Sequence, residues 1–396
     1  MAHLHTAPVL RRIARQRGLT LVELMVALVI GLMVIMAAMS VFSSSSQSAR
    51  TVDHAGQLRD DARFAADIIQ RLAVQTGFED IGFVTRTYQG TPQTYKAANG
   101  QADPTTMQAP ISGFSGQKPA TGSGSIEITA ASGTAFNNSD TLILRYQAAN
   151  KGNSESDADG SMMLCSGGTL GKTHGHDFEH RTQRAISIFY VDTDDDGEPT
   201  LFCRYANKEG GTLEDRVALV KGVESFKVLY GVDNIEPNTA ADCNGTSSSC
   251  DTEHAKLVPN RYFYANQMTV GTTTPDPATT QTNWRRVRAL RIGMVLRAAN
   301  SSGVADNKTW YPLGEKFADQ DNAGSSYQTN DARLRQNYVF TVNVRNCLNQ
   351  GYQTAGNPGE SAGSNVPPCD IVVPRDPNAG SGSGGGTGGG SGVVIG

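Results

Sequence analysis

Glu23 has the most unusual chemical surroundings in this sequence. It lies five residues after Gly18, near the start of the run "LTLVELMVALVIGLMVIMAAMSVF" (19–42), which contains no other charged residue. A carboxylate within hydrocarbon is costly unless a cation compensates it, and ionisable residues in such segments usually mark function. The chemistry expected of Glu23 is therefore neutralisation of a positive charge that the apolar run does not itself supply.

An acidic run, "DTDDDG" (192–197), could bind a metal ion. Its carboxylates Asp192, Asp194 and Asp196 are spaced as in the first half of an EF-hand-like calcium loop. Position twelve of that loop would be Cys203, where a bidentate Glu is expected. An acidic hairpin turn between two strands is therefore favoured over calcium binding, and no cofactor is expected apart from this calcium alternative.

A histidine-rich run, "HGHDFEH" (174–180), is the second metal candidate. Imidazole and carboxylate groups at this density could hold zinc or copper. A solvated polar loop is the favoured interpretation, because imidazoles on flexible polar loops are more often hydrated than ligated.

Six cysteines follow the apolar run, and all lie on the side where disulfides form and persist if the run crosses a membrane. They are Cys165, Cys203, Cys243, Cys250, Cys347 and Cys369. Six cysteines allow fifteen pairings. Neighbours in sequence favour Cys243 with Cys250 and Cys347 with Cys369, which leaves Cys165 with Cys203. Structural disulfides are favoured over a zinc site, because no C-x-x-C spacing occurs.

Catalytic motifs are not found in the sequence. No H-E-x-x-H, G-x-S-x-G or phosphate-binding glycine loop appears, and the abundant serines give no reason to select one as a nucleophile. The sequence therefore predicts a protein that is not an enzyme.

The apolar run that contains Glu23 is predicted to form a membrane-spanning helix. About 20 apolar residues in a helix span the hydrocarbon layer of a bilayer. Four arginines precede the run, at Arg11, Arg12, Arg15 and Arg17. The positive-inside tendency then predicts a cytoplasmic N-terminus and an extracytoplasmic body. A secretory signal fits poorly, because its small-residue cleavage site should follow the apolar stretch, whereas Gly18 precedes it.

A second, amphipathic part of the helix is predicted after the membrane span. Apolar residues recur at steps of three and four, at Val52, Ala55, Leu58, Ala62, Ala65, Ile69 and Leu72. Charged residues occupy most of the other faces, so the apolar stripe is expected to pack on a sheet. Gly77 is the expected stop, and Ser43 to Ser46 are the expected place of a bend or a melted turn.

Strands separated by long polar loops are predicted from about residue 78 onward. The candidates lie at 125–131, 141–147, 185–191, 200–206, 225–232, 287–298 and 338–346. They indicate one antiparallel-rich sheet system behind a long N-terminal helix, which is an α+β fold.

The charge balance argues against nucleic acid as a partner. The formal net charge is −4, and it becomes more negative once the four N-terminal arginines are set aside. A local basic patch could come from Arg285, Arg286, Arg288, Arg291 and Arg297. Strand alternation places Arg291 and Arg297 on the face opposite Arg288, which disperses the group.

The run from Gly18 to Leu24, "GLTLVEL", resembles the processing motif of type IV prepilins and type II secretion pseudopilins. The resemblance implies that a membrane prepilin peptidase cuts after Gly18 and that the new N-terminal residue, Leu19, is N-methylated. Most members have Phe at that position, so Leu19 is a departure that the family tolerates.

The resemblance also gives Glu23 a partner. A new α-amino group at Leu19 adds a cation to a helix end that already favours a nearby anion. In the family the matching glutamate meets the amine of a neighbouring subunit in the filament core. Losing one member of a buried pair costs about 3–5 kcal/mol, which is enough to decide whether a subunit joins. The alternative is a single-span anchor with an incidental acid.

Three later segments, at 222–233, 283–298 and 338–346, are similar in order and character to the globular domain of PilW-type minor pilins. This resemblance implies a pilin-like fold and a minor pilin that helps to prime type IV pilus assembly in an initiating or tip complex. It also implies partners, namely other minor and major pilins and a PilY-type adhesin. The alternatives are a J-type minor pseudopilin of a type II secretion system and a pilus-displayed binding module.

The expected organisation follows from these features. The chain is expected to contain five consecutive segments. They are a leader (1–18), a membrane and filament-core helix (19–42), its amphipathic continuation (43–76), a β-rich domain (77–375) and a flexible Gly/Ser-rich tail (376–396). Before assembly the chain is expected in the inner membrane, with its globular domain in the periplasm, and afterwards in the pilus fibre or tip.

Overall fold

One long α-helix, three short 3-10 helices and eleven antiparallel strands make up the regular structure of the described residues, which confirms the α+β class. The computed structural model describes residues 18, 20–78, 108–120, 133–149, 151, 157–171, 184–207, 213–232, 235–239, 259–270, 283–284, 286–301, 307–319 and 322–344. The elements are α1 (Leu21–Gln75), β1 (Ile111–Phe114), β2 (Thr141–Tyr146), β3 (Ala185–Thr193), β4 (Pro199–Ala206), β5 (Val217–Lys221), β6 (Val223–Val232), β7 (Arg261–Phe263), β8 (Val287–Ser301), β9 (Lys308–Trp310), β10 (Tyr327–Thr329) and β11 (Arg333–Asn343). The chain divides into two compact units, Met1–Asp53 and His54–Gly396.

Helix α1 runs without interruption for 55 residues. The melted turn expected at Ser43 to Ser46 is wrong, because these residues are helical. Hydroxyl groups on either side bond back to the helix, since Ser40 donates to the carbonyl of Ala37 and Thr51 to that of Gln47. Such bonds let Ser and Thr remain inside a helix.

The second unit contains the buried stripe of α1. Its members are Leu58, Ala62, Ala65, Ala66, Ile69, Leu72 and Ala73. This confirms the predicted stripe from Leu58 onward, whereas Val52 is 68% exposed and lies outside it. Alanine at four of the seven positions lets the helix approach the sheets closely, and the buried residues join the main hydrophobic core.

The end of α1 is fixed to the first sheet. Gly77 has φ +75, a conformation that glycine adopts at helix C-termini without strain. Its N–H donates to the carbonyl of Arg145 on β2 at 2.9 Å. The predicted stop at Gly77 is confirmed, and it anchors the helix end to β2.

The strands form three separate sheets, so the prediction of a single sheet system is wrong. The strand orders are β1-β2-β3-β4-β5, β11-β8-β6-β7 and β10-β9. The chain passes from the first sheet to the second at Gly222, which has φ +82. The Gly222 N–H donates to the Pro199 carbonyl, and the Gly222 carbonyl accepts the N–H of Arg297. A Cβ at Gly222 would lie 2.5 Å from the Arg297 carbonyl oxygen, so only glycine fits this crossing.

The longer predicted strands are confirmed, and the shorter ones were missed. Six of the seven candidates coincide with β2, β3, β4, β6, β8 and β11, and the candidate at 125–131 lies outside the described residues. The strands not predicted are β1, β5, β7, β9 and β10, each of five residues or fewer.

A buried group of charges joins the strands of the second sheet. Glu224 on β6 accepts hydrogen bonds from Arg297 on β8 at 2.9 Å and from Arg335 on β11 at 2.5 and 2.9 Å. Tyr327 on β10 also donates to Glu224, and burial together with this carboxylate raises the pKa of Tyr327. Arg335 pairs in addition with Asp331 and lowers the pKa of that carboxyl to about 2. Glu224 is thus shared by three strands besides its own.

Cys165 and Cys203 form a disulfide, which is the pairing that the sequence leaves for them. It ties the segment 157–171 to β4. Met163 in the same segment exchanges two hydrogen bonds with the Gln75 side chain and accepts a third from the Tyr146 hydroxyl. The other two predicted pairs lie outside the described residues.

Loss of this disulfide is expected to destabilise the second unit. Replacing both Cys165 and Cys203 with Ala should lower the free energy of unfolding by about 3 kcal/mol, because the crosslink closes a long loop and restricts the unfolded chain. Urea unfolding of the detergent-solubilised chain, followed by fluorescence of Trp284 and Trp310, measures the change. A loss under about 1 kcal/mol would contradict the expectation.

Candidate functional site

The N-terminal end of α1 places Glu23 at the start of the apolar stretch. The N–H and the hydroxyl of Thr20 both donate to Glu23 Oε2 at 3.2 Å, and the Glu23 N–H donates to Thr20 Oγ1 at 3.3 Å. This reciprocal arrangement is a capping box, which satisfies helix N–H groups that have no partner within the helix. Glu23 therefore caps its own helix, a role that the sequence analysis missed although the T-x-x-E pattern was present.

One oxygen of Glu23 remains available for another partner. Among the described residues no hydrogen bond reaches Oε1, since both bonds from Thr20 go to Oε2. Gly18 is described, and a Cβ added to it would meet no other described atom within 4 Å. Leu19, the predicted site of methylation, lies outside the described residues, so the predicted roles of Gly18 and Leu19 stay predictions.

The apolar stretch after Glu23 is exposed around the whole helix. Every Leu, Val, Ile, Met and Phe from Leu21 to Phe42 is at least half exposed. By length and composition α1 can cross a membrane. Apolar surface of this extent marks a site for lipid or for other protein chains.

The acidic run at 192–197 forms a hairpin turn between β3 and β4. The Asp194 carboxylate accepts the N–H groups of Asp196 and Glu198, and Gly197 supplies the positive φ. Lys221 pairs with both Asp194 and Asp196 at 2.8 and 2.9 Å and contributes most to lowering the pKa of Asp194. The hairpin turn that the sequence favours is confirmed.

The neighbouring carboxylates are also paired with cations. Asp192 pairs with Lys118 and Arg216, and Asp195 pairs with Arg216. In the part of the chain that the structure describes, no three metal-ligating side chains come together. The run at 174–180 lies outside that part.

The described arginines in and directly before β8 do not form a common exposed surface. Arg286 and Arg288 are buried, and Arg297 pairs with Glu198 and Glu224. The Arg291 guanidinium lies over the Phe317 ring, 4.6 Å from its centroid, where a cation–π contact stabilises it. Two of these four described arginines are therefore buried and the other two contact other side chains, and Arg285 is not among the described side chains.

Two protein-family models match this chain, one in the β-rich domain and one at the N-terminal helix. The family described as "Type IV Pilus-assembly protein W", PilW, matches residues 188–346, which run from β3 to just beyond β11. The "Prokaryotic N-terminal methylation motif" matches residues 13–39, which include Gly18 and Glu23. No curated protein matches the chain.

A solved structure similar to this chain is a type IV-like pilin from Thermus thermophilus. The two are 12% identical, with a TM-score of 0.34, over 73% of this chain and 97% of the other.

Proposed function

This chain is a type IV pilin-like protein with a PilW domain and a prepilin-type methylation motif, and from this premise we propose that it is a minor pilin of a type IV pilus. A prepilin peptidase removes residues 1–18, and the mature chain enters the filament through α1. There it helps to prime assembly in an initiating or tip complex with other pilins and a PilY-type adhesin. The observation that carries the proposal is the exposed apolar stretch of α1, with Glu23 as its single charged residue.

The exposed apolar stretch is suited first to the membrane and then to the core of the filament. Residues 21–42 extend about 33 Å at the helical rise of 1.5 Å per residue, which matches the hydrocarbon layer of a bilayer. Before assembly this stretch lies in the inner membrane, with the arginines before Gly18 in the cytoplasm and the PilW domain in the periplasm. In the filament, apolar helices of neighbouring subunits replace the lipid.

Glu23 fixes the register in which α1 packs against the helices of neighbouring subunits. Apolar helices can slide past one another, whereas a charge pair at a fixed depth selects one register. The amine created at Leu19 is the cation. Oε1 of Glu23, which accepts no hydrogen bond from the described residues, is the acceptor for the amine of a neighbouring subunit. Oε2 meanwhile continues to cap the helix through Thr20.

The match to the PilW family favours the pilus over the type II secretion alternative. PilW-type proteins are structural pilins, and this supports an assembly role for the globular domain.

Mass spectrometry of the N-terminus tests the proposal. In chain recovered from membranes and from sheared filaments, we expect the mature N-terminus to be Leu19 carrying one methyl group. Gly18→Val should leave the leader attached, because a side chain then occupies the residue before the cut. An unprocessed N-terminus in wild-type filaments, or a cut after Phe42, would overturn the proposal.

A further inference from the structure

Lys227 and Asp140 form a fully buried ion pair between the two larger sheets. Lys227 lies on β6 and Asp140 directly precedes β2; the two side chains are 0% and 1% exposed. Lys227 Nζ is 2.5 Å from Asp140 Oδ1. The two residues are 87 positions apart in sequence, so the contact is a product of tertiary packing.

The surroundings of Lys227 orient its amine. Nζ donates to the carbonyl oxygens of Asn138 at 3.2 Å and Ala323 at 3.1 Å. A neutral amine that donates its two N–H groups to these carbonyls has its lone pair directed at the remaining partner, Asp140. The Tyr264 ring lies 5.3 Å from Nζ and helps to exclude water. These contacts hold Nζ directly against the Asp140 carboxyl group.

The surroundings of Asp140 polarise its carboxyl group. Oδ2 accepts the N–H of Val228 at 2.9 Å, and Oδ1 accepts the N–H of Gly116 at 3.0 Å. Burial raises the pKa of Asp140. The Val228 N–H fixed on Oδ2 can stabilise negative charge that develops on that oxygen during attack on Cγ. Two charges held in an apolar interior are also disfavoured relative to a neutral product.

We propose that Lys227 and Asp140 condense into an intramolecular isopeptide bond. A proton moves from the ammonium to Oδ1, and Nζ attacks Cγ. The charge that develops on Oδ2 is held by the Val228 N–H. The bond from Cγ to Oδ1 then breaks, and Oδ1 leaves as water with two of the three ammonium protons. The third proton stays on the amide nitrogen, so an ammonium and a carboxylate become one amide and one water without any oxidant or co-reactant.

The crosslink has a structural consequence. Asp140 leads into the five-stranded sheet and Lys227 belongs to the four-stranded one, so the amide joins the sheets covalently. Gly324 brings the adjoining loop against the site, since a Cβ there would lie 2.8 Å from the Asn138 carbonyl oxygen. A subunit with this bond resists separation of its two sheets under pulling force.

Peptide mass spectrometry of the full-length chain tests the proposal. The detergent-solubilised protein is denatured, reduced, alkylated and digested with trypsin. We expect most of the chain to give a branched peptide that joins the Asp140 and Lys227 segments and is lighter than their sum by one water. Trypsin should not cut after Lys227, because its amine is acylated. Lys221, whose side chain is 61% exposed, should be cut normally.

Two substitutions at Asp140 distinguish a covalent isopeptide bond from an ion pair in which the side chains are only close together. Asp140→Asn should give a branched peptide of the same mass, because ammonia leaves in place of water, and Asp140→Ala should give none. Complete cleavage after Lys227 in the wild-type digest, with only linear peptides, would overturn the proposal. That result decides the matter even if Asp140→Ala fails to fold, and it leaves the pilin function untouched.

Discussion

Replacing Glu23 with Gln is expected to reduce incorporation into filaments by about 100-fold or more while leaving α1 intact. Gln can complete the capping box with Thr20, because its amide oxygen accepts the same hydrogen bonds. Gln carries no charge, so it cannot neutralise the amine that the proposed processing creates at Leu19. A cation left unpaired among packed helices costs about 3–5 kcal/mol, and each 1.4 kcal/mol is about tenfold in an equilibrium constant.

The ratio of the chain in sheared filaments to the chain in membranes measures this effect, with the other pilins present. Thr20→Val is the matched control, because it removes the cap and keeps the charge. Losing a cap costs about 1 kcal/mol, so incorporation should fall by no more than about tenfold. Asp53→Asn, which changes an exposed carboxylate further along α1, should have no effect. Equal losses in Glu23→Gln and Thr20→Val would show that Glu23 acts only as a cap.

The sequence predicted the elements whose pattern is long enough to read. The stripe from Leu58 to Leu72 covers four turns of α1, and strands of six residues or more show continuous or alternating apolar residues. Strands such as β7 and β9 have three residues each, which is too few for any periodicity. Their conformation is imposed by the strand with which each one pairs.

The split into separate sheets could not be predicted from local pattern. Residues on both sides of Gly222 have strand character, and the sequence does not show that β5 pairs with β4 whereas β6 pairs with β8. Buried charges were missed for the same reason. Lys227 and Glu224 resemble solvent-facing residues of a strand, and their partners lie 87 and 111 positions away. By contrast, the Thr20 cap is a local feature, because the T-x-x-E spacing of Thr20 and Glu23 is visible in the sequence itself.

Replacing Glu224 with Gln is expected to lower the free energy of unfolding of the PilW domain by several kcal/mol, although the substitution preserves the shape of the side chain. Glu224 is 3% exposed and accepts charged hydrogen bonds from Arg297 and Arg335. Its removal leaves two guanidinium groups short of a counter-charge in the interior. Breaking a buried pair costs about 3–5 kcal/mol. Because Arg297 retains Glu198 and Arg335 retains Asp331, the loss should be about 3 kcal/mol.

Glu198→Gln is the matched control for this prediction. Glu198 also pairs with Arg297, and with Arg333, but its side chain is 27% exposed, so water can replace the lost bonds. Ion pairs open to solvent contribute about 0–1 kcal/mol, and the control should lose no more than that. Urea unfolding of both variants in detergent, followed by tryptophan fluorescence, gives the two values. If they were equal, burial of Glu224 would add nothing, and the shared carboxylate would not be what holds β6, β8 and β11 together.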